Sequence, residues 1–190
     1  FDDGYQSVYT RVYPLLKLYK YPAVSALVGS WLAVESGQQV QYGDNKVSRE
    51  RFLTAAQVKE MASSGLVEFA SHSYDLHHGL LANPQGNQTP AAVSLQYDIG
   101  TKSYESQENY RIRIKQDLIK NNQAIQRLTG KAPRVIVWPY GANNAITNEL
   151  AKEVGMPISL TLSEEEIPNT NNLGAIGRFL VDANPNAASL

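Results

Sequence analysis

The sequence predicts an α/β protein organised around parallel strands, and three observations carry that prediction. Short apolar, β-branched runs alternate with segments of helical periodicity along the whole chain. Neither an internal repeat nor a low-complexity linker interrupts that alternation. The residues able to do chemistry fall at the C-terminal ends of predicted strands, where parallel α/β folds gather their sites.

Phe1-Asp2-Asp3-Gly4 reads as the end of a strand, and the chain has no initiating Met, so it is expected to be an excised piece. Val12 to Leu18 carries apolar groups at helical spacing, and Val24-Ser25-Ala26-Leu27-Val28 reads as a short buried strand ending at Gly29. Between Ser48 and Ala62, Thr54 followed three residues later by Gln57 is a helix-start pattern, with Val58 and Met61 on one face. Leu66 to Ala70 is the next strand, delivering His72 at its end. Leu80 to Ser103 is rich in Gly, Pro, Asn and Gln and is expected to be a long excursion, functional or locally ordered. Tyr110, Ile114, Leu118, Ile125 and Leu128 then predict a long helix closed by Gly130. Val135 to Trp138 predicts a strand, Ile146 to Val154 a helix ended by Gly155, and Ile158 to Leu162 a last strand.

The 190 residues fit one domain, and 43% hydrophobic with 18% charged residues is a globular composition. A net charge of −1 with both signs dispersed excludes nucleic acid as a partner, since phosphate binding needs clustered Lys and Arg. The count of cysteines is 0, which removes thiolate catalysis, Cys-based zinc sites and disulfides. No apolar run approaches the ~18 residues of a membrane span.

All 3 histidines lie within Ser71-His72-Ser73-Tyr74-Asp75-Leu76-His77-His78-Gly79, a density that suggests a metal site and is equally open to reading as a surface turn. His72 and His77 stand roughly 140° apart on a helix of about 3.6 residues per turn, so a loop must bring them together. Asp2 and Asp3 point in opposite directions on an extended strand and would suit two jobs, a hard oxygen ligand and a proton acceptor. Two histidines and a carboxylate form a facial set that leaves metal positions open. Asp-Asp-Gly is also an ordinary turn. Trp138-Pro139-Tyr140-Gly141 is either a hydrophobic plug or a sugar-facing wall with a backbone N–H aimed at a developing oxyanion. Tyr97, Tyr104 and Tyr110 are expected to pack.

Phe1-Asp2-Asp3-Gly4, His72-Ser73 with His77, and Trp138-Pro139-Tyr140-Gly141 together resemble the first three motifs of the carbohydrate esterase family 4 (NodB-type) polysaccharide deacetylases. The spacing of the histidines, the Trp-Pro-Tyr-Gly form, Tyr110-Arg111 with Arg113-Ile114, Ile176-Gly177-Arg178-Phe179-Leu180-Val181, and Asn184-Pro185 resemble the branch acting on poly-β-1,6-N-acetylglucosamine of bacterial biofilms. The resemblance implies a distorted (β/α)7 barrel occupying residues 1–190 and lacking its N-terminal strand. It implies one divalent metal ion (Zn, Co, Ni or Fe) on Asp3, His72 and His77, Asp2 as general base, the Tyr140 backbone as oxyanion donor, and Trp138, Pro139 and Tyr140 against the sugar. It further implies a parent protein in the bacterial envelope, periplasmic or outer-membrane associated, working with an export machinery and carrying a further domain beyond Leu190. The sequence departs from the family pattern in two ways. Val137 stands where an Arg usually pairs with the base, Arg134 lying three residues earlier, and no histidine follows His78 to act as general acid. In the branch it resembles, that histidine comes from upstream of the Asp pair. Two alternatives stay open: a peptidoglycan or chitin-oligomer deacetylase, and a non-catalytic glycan-binding domain.

Overall fold

Strand β1 (Ala23–Leu27) follows a helix α1 (Tyr13–Tyr19) that opens on a wider π turn at Val8–Val12 and stops at Lys20, which has a φ of 56°. A one-turn helix α2 (Gly29–Leu32) leads to an antiparallel hairpin, β2 (Gln39–Tyr42) with β3 (Asn45–Ser48). Helix α3 (Ala55–Ser63) begins on the expected capping box, Thr54 and Gln57 each receiving the other's backbone N–H. Strand β4 (Val67–Ser71) runs into the histidine segment. The excursion that follows is locally ordered as two small hairpins, β5 (Gly79–Leu81) with β6 (Gln88–Pro90) and β7 (Tyr97–Asp98) with β8 (Ser103–Tyr104). Helix α4 (Gln107–Thr129) starts on Ser106 and ends on Gly130 in the left-handed region. Strand β9 (Val135–Val137), helix α5 (Ala145–Glu153) and strand β10 (Ile158–Leu160) complete the set. The computed structural model describes residues 1–164 and 173–181; Asn184-Pro185 lies outside them.

Among the described residues, one sheet of four parallel strands runs in the order β1-β4-β9-β10. Phe1 lies along the free edge of β1, donating to the Val24 carbonyl and accepting from the Ala26 N–H. The two faces of the sheet differ. Leu27, Phe69 and Ile136 face the helices, packed with Val58, Met61, Ile114, Leu118, Ile125 and Leu150. On the other face lie Ala26, Ala70, Val135 and Val137, joined by Val24, Ile158 and Leu160. Helices cover one side, and the other carries Ala with the branched Val, Ile and Leu side chains that fill a barrel interior, the layering of a curved barrel wall. Burying each Leu or Ile contributes about 1.5–3 kcal/mol, so the helix-covered face supplies most of the hydrophobic stabilisation.

The buried Asn121 of α4 ties this wall to the site. Its amide donates to the Leu27 carbonyl and the Ser71 hydroxyl, 2.9 and 2.8 Å away, fixing the C-terminal ends of β1 and β4 together. Tyr97 and Tyr110 are buried as expected, the Tyr110 hydroxyl donating to the Ala92 carbonyl, whereas Tyr104, expected to pack as well, is exposed and meets the Tyr97 ring edge-on.

Candidate metal centre and active site

Asp2 and Asp3 separate because the chain turns between them. The Gly4 N–H donates back to the Asp2 carbonyl at 2.9 Å, and Asp3 at the middle of that tight turn has a φ of 69°. A non-glycine residue held there costs on the order of 1–3 kcal/mol, and such strain gathers at functional sites. Gly4 follows with a φ of 70°, and a Cβ on it would meet Leu27 Cδ2 at 2.8 Å. The two carboxylates therefore diverge through a turn rather than through the alternation of an extended strand.

Asp3 meets both histidines. Its Oδ1 lies 3.3 Å from His72 Nε2 and 3.2 Å from His77 Nε2, and the three potential ligand atoms lie within 4.8 Å of one another. Oδ1 is buried without a hydrogen-bond partner, whereas Oδ2 accepts from the Tyr42 hydroxyl at 2.8 Å. His72 Nδ1 lies 2.6 Å from the Val137 carbonyl, which can only accept, so Nδ1 carries a proton and Nε2 is the nitrogen turned to Asp3. Metal-binding histidines are commonly oriented in this way. An orphaned carboxylate oxygen, a histidine of fixed tautomer and a second histidine converging on one point fit a divalent cation. Burial pushes the Asp3 carboxyl up, but the contacts with His72 and His77 outweigh it and hold the group well below the usual carboxylate range.

The histidine segment is a loop, as the spacing requires. Ser73 has a φ of 66°, its hydroxyl accepts from the Leu76 N–H, and the Tyr74 and Asp75 N–H groups donate to the two carboxylate oxygens of Asp117 at 2.8 and 2.7 Å. Burial raises the Asp117 carboxyl to about 6, those two amides opposing the shift. Its place midway along a polar face of α4 gave no sequence signal of this role. His78 is exposed with Nδ1 against the Gly79 carbonyl and takes no part in the ligand set.

Asp2 is held by an arginine the motif reading did not assign. The Arg178 guanidinium forks onto both oxygens of Asp2 at 2.8 and 3.0 Å, while its Nε donates to the Thr161 carbonyl. Neither Val137 nor Arg134 partners Asp2: Arg134 pairs with Glu68 on the surface at 2.7 and 2.9 Å. Burial raises the Asp2 carboxyl, but the Arg178 hydrogen bonds, with the nearby positive potential of His72 and Arg178, bring it below its ordinary value. Asp2 is then ionised at neutral pH and able to accept a proton.

Of the three residues expected to face sugar, only Tyr140 is exposed. Trp138 is wholly buried (0% exposed), its indole N–H shared between the Ser159 hydroxyl at 2.6 Å and Asn148 Oδ1 at 3.1 Å, so it supports the site from the core and is not a sugar wall. Strand alternation explains the correction, because Trp138 continues the helix-covered face of Ile136. Pro139 is buried too. Tyr140, with a φ of 59°, turns its ring over His77 at 4.6 Å between centroids. A cleft of 370 Å³ opens over the ligand set, bordered by Asp2, Tyr42, Asp44, Tyr140 and Leu162. A roomier groove of 590 Å³ lies between the histidine loop and α4, lined in part by Tyr74, Asp117 and Lys120, and includes neither His72 nor His77.

Residues 1–159 match the polysaccharide deacetylase family. The chain belongs to that family. This polysaccharide deacetylase domain is 43% identical over 185 residues to a poly-β-1,6-N-acetyl-D-glucosamine N-deacetylase of Escherichia coli K12, covering 97% of this chain and 27% of the relative. It superposes on the BpsB deacetylase domain of Bordetella bronchiseptica with a TM-score of 0.91 at 49% identity, covering 96% of this chain and 69% of that one. A de-N-acetylase of Aggregatibacter actinomycetemcomitans gives a TM-score of 0.91 at 42% identity, covering 100% of this chain and 71% of the other. The fold is that of the family's α/β deacetylases. The chain spans about a quarter of the length of the curated E. coli relative.

Proposed function

We propose that this chain is the catalytic core of a metal-dependent N-deacetylase that hydrolyses acetamide groups of poly-β-1,6-N-acetylglucosamine. The observation that carries the reading is the division of labour at Asp2 and Asp3. One carboxylate leaves a bare oxygen facing two histidine nitrogens, and the other is ionised and clamped by Arg178. Relatives named for the same polymer support the substrate. Asp3, His72 and His77 would hold the metal. A divalent ion bound there lowers the pKa of water and polarises the amide carbonyl.

The chain's own residues then do the following. Asp2 accepts the proton of the water that attacks the acetamide carbon. Arg178 keeps Asp2 ionised and aimed. The backbone N–H of Tyr140, in the sharp turn after β9, supports the negative charge that develops on the carbonyl oxygen, and its exposed ring flanks the sugar. The C–N bond breaks, releasing acetate, and the departing amine takes up a proton. The 3 histidines of the chain are the two proposed ligands and His78, which points elsewhere, so that proton has no histidine donor within these residues. The 190-residue chain is therefore expected to bind metal yet deacetylate slowly. We infer that the parent protein works at the bacterial envelope, as its likeness to exopolysaccharide deacetylases suggests. No helix among the described residues is long and apolar enough to cross a membrane.

Acetate release from a β-1,6-linked N-acetylglucosamine oligomer by the Co-loaded chain tests this reading. Slow turnover, abolished in Asp2→Asn with metal content unchanged, is the expected result. Full turnover in Asp2→Asn, or turnover confined to β-1,4-linked oligomers, would remove the assigned base or the assigned substrate respectively.

A further inference from the structure

Tyr42 lies outside every motif that supplies the ligand set, at the end of β2, yet it touches two of its members. Its hydroxyl donates to Asp3 Oδ2 at 2.8 Å, while Oδ1 faces His72 and His77 with no partner. A carboxylate with both oxygens free can rotate and offer either, or both, to a cation; one oxygen tied to a phenol leaves the other as the single donor. Tyr42 also bears on His77. That ring has no hydrogen bond at its buried Nδ1, and its plane is set by neighbours: Trp31 at 5.0 Å, Tyr42 at 5.5 Å and Tyr140 at 4.6 Å between centroids. The hairpin is in turn fixed to the body. Val40 is wholly buried, and Tyr42 packs on Trp31 and Tyr5 in a cluster with Val28 and Phe52.

We propose that Tyr42 is a positioning residue of the metal site, confining Asp3 to one-oxygen ligation and holding His77 toward the same point. The hairpin β2–β3 thereby becomes part of the centre although it carries none of the ligands. The inference rests on the metal-site reading above and extends it. A packing role alone is the competing explanation, because Tyr42 sits among aromatic rings. Phenylalanine separates the two, since it keeps the ring and removes only the hydroxyl.

The test is titration of metal-free wild type and Tyr42→Phe with Co²⁺, reading affinity and the visible ligand-field bands, alongside thermal unfolding of both metal-free proteins. The expected result is Co²⁺ binding weakened about tenfold in Tyr42→Phe, the loss typical of an outer partner of a ligand. The bands should change as the freed oxygen joins the coordination, whatever the metal-free unfolding temperature loses with the hydroxyl's hydrogen bond. Equal affinity and identical bands would overturn the proposal, as would weakened binding with unchanged bands and a lowered unfolding temperature, which is the mark of packing. Wild type that takes up no Co²⁺ would overturn the metal-site reading itself and the proposal with it, an outcome distinct from the other two.

Discussion

His72 and His77 present equivalent nitrogens to the same oxygen but are held by different physics. His72 sits just past a central strand, 2% exposed, oriented by a hydrogen bond to the neighbouring strand's carbonyl, with Asn121 pinning the strand ends beside it. His77 lies five residues on in a loop, oriented by aromatic faces, and the loop is anchored by Asp117 from α4. One half of the site is therefore part of the sheet and shares its stability. The other half is assembled from the histidine loop, a hairpin and a helix side chain. Such a division lets the sheet fix the chemistry while the loops shape what reaches it.

The largest effect that would sharpen this comparison lies under the sheet-held half. Trp138→Ala removes a wholly buried indole and strands the Ser159 and Asn148 partners of its N–H, and should cost about 3–5 kcal/mol in denaturant unfolding. A sugar-facing Trp138 would instead leave stability nearly untouched. Next, in metal-free protein, His72→Ala leaves the Val137 carbonyl unpaired and should cost about 1–3 kcal/mol, with His77→Ala costing less. Equal losses would break the comparison, since His77 has no hydrogen bond at Nδ1 to lose.

A further effect concerns the loop-held half and pH. The folded-state pKa of Asp117 is raised to about 6 by burial, above the ordinary 3.8, so the folded protein binds this proton more tightly than the unfolded chain does. That contribution is fully present below about pH 4 and is lost as pH rises through 6. Asp2 and Asp3 are shifted downward, so their contribution is lost only at lower pH, outside this window. Urea unfolding of wild type should therefore show stability falling between pH 4 and 6 relative to Asp117→Asn, which does not titrate. Parallel pH profiles for the two proteins would contradict the assignment.

Much of the sheet-held half was legible because its signals are local. The capping box at Thr54 and Gln57, the stop at Gly130 and the strands flanked by helices are all written within a few neighbouring residues, and so are the Asp2-Asp3 and His72…His77 pairs. What escaped is tertiary. Arg178 reaches Asp2 from 176 positions away, and no spacing rule records such a pairing. Asp117 and Tyr42 act through single hydrogen bonds to residues distant in sequence. The hairpin holding Tyr42 did leave a trace, the alternation Val40, Tyr42 and Val47 about a Gly43-Asp44 turn. Of the two readings open for Trp138, plug or sugar wall, the same period of two favours the plug, since it sets Trp138 with Ile136 under the helices.

The proposed function stands on Asp3, His72 and His77 forming one metal centre. Metal content per chain, after incubation with Zn²⁺ or Co²⁺ and dialysis, tests it on wild type and on Asp3→Ala, His72→Ala and His77→Ala. About one ion per wild-type chain and its loss in each variant are expected, as for a site of three protein ligands. A metal-free wild type, or an ion retained in all three variants, would contradict it and leave a glycan-binding domain as the better description.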